Sequence, residues 1–99
     1  VKILNEYTIP CTTIPDGHFI EFELDDNEQI EYDTIFGNGN KKKFLCEYQI
    51  INNIIYDNYY QILENYYGER LKTCWDTQKF LKEINIKINR YKKLIRIIE

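Results

Sequence analysis

The apolar positions follow two patterns that divide the chain. From residue 18 to 24 they alternate, with Ile20, Phe22 and Leu24 on one side and Glu21 and Glu23 on the other. Ile30 and Tyr32 repeat the alternation around Glu31. A period of two predicts strands with one face against a core. Asp25-Asp26-Asn27 then reads as a three-residue hairpin loop, which sets Phe22 opposite Ile30 and Ile20 opposite Tyr32. A five-residue loop also matches the faces, whereas a four-residue loop mixes them. Residues 44–67, FLCEYQIINNIIYDNYYQILENYY, change the spacing to three and four. Tyr48, Ile51, Ile55, Tyr59, Ile62 and Tyr66 make one helical stripe, and Tyr56, Tyr60, Leu63 and Tyr67 make a second. These predict a long helix, capped by Gly68, around which the fold packs. Asn52-Asn53 or Asp57-Asn58 can break it in two, and residues 44–50 also read as a strand.

The remaining segments are shorter. Residues 1–9 are compatible with a strand. Pro10 and Pro15 favour extended backbone, and Pro15-Asp16-Gly17 is a turn signature. Gly37-Asn38-Gly39-Asn40 is the strongest break in the chain. Residues 70–74 suit a short strand or turn. Thr73 with Asp76 three further on resembles a capping box. Phe80, Ile84, Ile88, Tyr91 and Ile95 then keep helical spacing, against a local alternation of Ile84, Ile86 and Ile88. Residues 1–99 are therefore expected to form one α+β domain. In it a small antiparallel sheet from the N-terminal half packs against two helices from the C-terminal half. A larger sheet results if 44–50 or 84–88 is a strand.

Charge sharpens this division. Residues 1–40 hold one base and nine acids, and residues 41–99 hold twelve bases and seven acids, for a net charge of −3. The halves can attract each other or present opposite signs to partners. An apolar fraction of 43% argues against global disorder. Ile, Tyr, Asn and Lys are heavily used and Ala is absent, a bias that fits an AT-rich genome. Three cysteines without local spacing argue against a disulfide framework and for a reducing compartment. No apolar run approaches a membrane span and no leader pattern opens the chain. A cytoplasmic location is expected, in the host if the source is viral.

Glu21, Glu23, Asp25, Asp26 and Glu31 are the first candidate site, an acidic hairpin face for a basic partner or simply a solvated surface. Tyr60 and Tyr67 are candidate anchors, because tyrosine brings large contact area and one polar tip. Lys41, Lys42, Lys43, Lys87, Arg90 and Lys93 are the candidates for phosphate contacts, or a plain polar helix face. His18 is the single histidine, and nothing in the sequence brings it to Cys46 or Cys74. No metal-ligand spacing, phosphate loop or cofactor motif is present.

Residues 66–76, YYGERLKTCWD, resemble the YYGxNLDALWD segment of the barstar family of ribonuclease inhibitors. Tyr66, Tyr67, Gly68, Glu69, Leu71, Trp75 and Asp76 match. Arg70 and Lys72 depart from the Asn and the acidic residue found there, the latter being one that contributes to ribonuclease binding. The resemblance covers eleven residues of 99 and implies that Trp75 and Asp76 lie at an inhibitory surface.

The expected function is that of a non-catalytic protein-binding module without cofactor or metal. A small inhibitor of the immunity or anti-defence type, from a virus, phage or low-GC microbe, would act by occluding its partner. Self-association is a further expectation. The alternative is a nucleic-acid-binding module using the basic C-terminal helix with Lys41, Lys42 and Lys43.

Overall fold

The computed structural model describes residues 1–13, 15–37, 42–63 and 69–84. Five strands form one antiparallel sheet in chain order: β1 (Lys2–Ile9), β2 (Gly17–Glu23), β3 (Lys43–Ile51), β4 (Ile54–Leu63) and β5 (Glu69–Lys72). Helix α1 (Asp26–Phe36) lies between β2 and β3, and α2 (Trp75–Ile84) follows β5. The α+β class is the expected one. The sheet, however, runs to residue 72 and α1 belongs to the N-terminal half.

Over 44–63, the described part of the expected long helix, β3 and β4 pair as a hairpin instead, and 44–50 is the strand of the alternative reading. Asn52 and Asn53 make its two-residue turn with φ of 52° and 65°, the left-handed pair of a type I′ turn. Ile and Tyr crowd both strands and suit a pleated surface better than a helix. The apparent stripe splits between two faces. By register, Tyr48, Ile55 and Tyr59 lie on the face of Cys46, whereas Ile51 and Ile62 lie on the face of Leu45. Both faces bury apolar side chains, so the two-residue period is blurred.

The second hairpin strand expected over 30–32 does not form either; those residues lie in helix α1. Asp25 is the N-cap of α1 and its carboxylate accepts from the Glu28 backbone N–H at 2.8 Å. The Glu28 side chain returns to the Asp25 N–H at 2.9 Å, completing a capping box. The Glu28 amide is the main cause holding the Asp25 carboxyl below its ordinary pKa. Gly37 ends the helix at φ 71°. Tyr32 is the buried residue of α1, while Ile30 and Ile35 stay exposed.

Both helices pack on one face of the sheet, here the inner face. Its core joins Ile20, Phe22, Leu24, Tyr32, Phe44, Cys46, Tyr48, Tyr59 and Leu81. Tyr32 meets Phe44 and Phe80 edge-on, and Phe36 meets Phe80 in the same way. Lys82 of α2 pairs with Asp57 of β4 at 2.9 Å, the carboxylate side chain being only 5% exposed. The cap expected from Thr73 belongs to Cys74, whose carbonyl accepts the first helical bond from Gln78. The Thr73 hydroxyl donates instead to the Tyr59 carbonyl at 2.9 Å. The continuation of α2 expected over 85–95 lies outside the described residues.

Candidate functional site

Alternation along the strands defines the opposite, outer face, which neither described helix covers. Cross-strand register places Lys2 beside Glu23 and Lys43, Asn5 beside Glu21 and Leu45, and Tyr7 beside Phe19 and Glu47. β4 and β5 add Tyr60 opposite Lys72 and Ile62 opposite Arg70.

The centre of this face is a small second core. Tyr7 and Phe19 stack with centroids 4.9 Å apart and planes within 9°. The Arg70 guanidinium lies 5.7 Å above the Phe19 ring and its Nη2 donates to the Tyr7 hydroxyl at 3.0 Å. Tyr7 sits on the first strand and Arg70 on the last. In a flat sheet those strands stand roughly 19 Å apart, too far for two upright side chains to join. The sheet therefore curves, and the outer face is the concave one. Leu45 is fully buried on it and Phe19 nearly so. The Tyr60 hydroxyl lies near the Glu47 carboxylate. Burial first, and that carboxylate second, push its pKa up.

Toward the β3–β4 turn the face becomes uncharged and open. Ile51 is 38% exposed, Ile54 54% and Tyr56 53%. Ile51 and Ile54 are direct partners and Tyr56 stands opposite Gln49.

The structure divides the expected acidic patch. Glu21, Glu23 and Tyr60 share the outer face. Asp25 and Asp26 open α1 and Glu31 lies on its exposed side, so Glu21 does not face Glu31. Its cross-strand neighbours are Asn5 and Leu45, and the like-charge opposition expected of the hairpin is absent. Trp75, 73% exposed, and Asp76 start α2, away from those acids. Tyr67 lies outside the described residues.

The basic candidates are likewise separated. The Lys42 ammonium sits 5.2 Å over the Tyr32 ring, and Lys43 stands beside Glu23 on the outer face. Lys41, Lys87, Arg90 and Lys93 lie outside the described residues. Tyr7, Phe19, Glu47 and Arg70 were not singled out as site residues by the sequence. The alternation of KFLCEYQ, on which 44–50 also reads as a strand, is the signal that places Glu47 on the face away from Cys46.

His18 and Cys46 do share the inner face, since His18 pairs with Tyr48 and Cys46 with Ile20. The His18 ring stacks on Tyr48 at 4.9 Å and its Nδ1 lies 3.1 Å from the Thr8 hydroxyl. Burial pushes the Cys46 thiol up to about 12, so it stays protonated at neutral pH and packs as a small apolar group. The exposed Cys74 thiol is drawn down by the Thr77 hydroxyl and backbone N–H. Among the described residues no three His, Cys, Asp or Glu side chains cluster to hold a metal ion. No described helix is long and apolar enough to cross a membrane.

Comparison with family models, curated proteins and solved structures finds no match for this chain. The eleven-residue likeness to barstar therefore stands alone. In this fold its matching residues divide between the edge strand β5 and the start of α2, with 66–68 outside the described residues.

Proposed function

We propose that this chain is a non-catalytic protein-binding module that takes its partner on the concave outer face of the sheet. The observation that carries the reading is a curved face left open by both helices, with carboxylates at its centre and exposed Ile51, Ile54 and Tyr56 at one end. Apolar and aromatic side chains would supply the affinity, and Glu21 and Glu47 the orientation toward a basic surface. An occluding inhibitor of the immunity or anti-defence type, from a virus, phage or low-GC microbe, would work in this way. Three free cysteines suit a reducing, cytoplasmic setting for it.

The test begins with affinity capture from host extract, followed by titration of the purified captured protein. Glu21→Lys should weaken that complex at least about tenfold while leaving the circular dichroism spectrum and melting temperature unchanged. Unaltered affinity in that variant removes the outer face from the interface.

One observation favours nucleic acid as the second reading. Lys2, Lys43, Arg70 and Lys72 stand on the same face as the exposed Tyr56, a combination that suits phosphates and a stacked base. Retention on heparin with a steep salt dependence would select it over the protein-binding reading.

A further inference from the structure

The two sides of the sheet are guarded unequally. β1 is blunted by a register shift between Ile3 and Asn5, by Lys2 at its start and by Pro10 just past its end. Bulges, lysines and prolines of this kind discourage edge-to-edge pairing. On the other side β5 covers only Tyr60, Gln61, Ile62 and Leu63 of β4. Residues 54–58 have β3 on one side and no strand on the other among the described residues.

The direction of the backbone groups follows from the turn. Ile51 and Ile54 flank a two-residue loop and so form a bonded pair, which turns the Ile54 groups toward β3. The groups of Ile55, Asp57 and Tyr59 then point away from β3. Tyr59 confirms the parity, because its carbonyl accepts from the Thr73 N–H at 3.1 Å on that side. Ile55 and Asp57 each direct one N–H and one C=O outward.

We propose that this segment pairs antiparallel with the same segment of a second copy, about a two-fold axis at Tyr56. In that register Ile55 of one copy exchanges both backbone bonds with Asp57 of the other, twice by symmetry. Ile54 faces Asn58, and the two Tyr56 rings meet on the outer face. The charges permit it. The outer-face residues of the segment, Ile54, Tyr56 and Asn58, are all neutral, so self-apposition opposes no like charges. The one charged residue, Asp57, lies on the inner face, is already paired with Lys82 and falls opposite Ile55 rather than its own copy. Each copy offers the same edge, without a strand beside it among the described residues, with exposed Ile54 and Tyr56 to bury. One sheet then runs through both molecules.

This inference does not depend on the partner reading above, and it is tested without any partner. Sedimentation equilibrium of the wild-type chain should give a monomer–dimer curve, and a monomer up to roughly 1 mM, the weak end of measurable association, overturns the proposal. Tyr56→Lys sets two ammonium groups together at the axis and should weaken the dimer at least about tenfold, whereas Tyr56→Phe should retain it. Ile55→Pro removes an outward N–H without touching the β3 ladder and should also give monomer. Circular dichroism establishes that each variant is folded. A dimer that survives Ile55→Pro but not Tyr56→Lys is a face contact, and one that survives both uses another surface; either result overturns strand pairing.

Discussion

The inner face of the sheet is buried by two helices, whereas the outer face buries its centre by curving on itself. On the inner face Phe22, Phe44 and Tyr59 are sealed beneath Tyr32, Phe80 and Leu81. On the outer face Leu45 is just as inaccessible, with Arg70, Tyr7 and Phe19 arranged across the same sheet surface. An open face of an antiparallel sheet is ordinarily solvated and polar. Here curvature gives a small domain a second apolar cluster without a further layer of structure.

The comparison is sharpened most by truncating one residue from each face. Phe22→Ala should cost about 3–5 kcal/mol in urea unfolding, and Leu45→Ala about 2–4 kcal/mol. A cost below about 0.5 kcal/mol for Leu45→Ala, typical of a surface site, would return the outer face to ordinary solvated status. Arg70→Ala should cost less, about 1 kcal/mol for one hydrogen bond and one cation–π contact. It should also raise amide exchange in β1 and β5 above that in β3, since it is the edges that Arg70 draws together. Uniform exchange across the sheet would contradict the curvature argument.

The smallest effect concerns pH. The Tyr60 pKa is raised in the folded chain, so the stability linked to it is intact below the ordinary tyrosine value. It is lost as pH rises through the folded value. The ultraviolet titration of the wild-type chain minus that of Tyr60→Phe should isolate a late phenolate, which Glu47→Gln moves to lower pH. A late phenolate unmoved by Glu47→Gln would assign the shift to burial alone.

The sequence reveals some of this and conceals the rest for identifiable reasons. The strand over 1–9, the break after Gly37 and the start of a helix near residue 75 are local features, and each is found where expected. The capping box formed by Asp25 and Glu28 was equally local. The alternation of Ile30 and Tyr32 masks it, because α1 leaves Ile30 exposed and so hides its helical stripe. In 44–63, Asn52-Asn53 was the decisive turn, but burial on both faces imitated helical spacing. The contact of Arg70 with Tyr7 has no local signature, since it exists only once the sheet has curved. Of the residues on the outer face, Glu21, Glu23 and Tyr60 could be named from the chain, and their aromatic floor could not.

The bond from Arg70 to Tyr7 spans 63 positions of the chain. Contacts so distant in sequence carry a large loop-closure cost, which pairing of the strands between them lowers. The concave surface accordingly depends on the last strand of the sheet, and a chain cut before Arg70 would lack the bond that closes the cup.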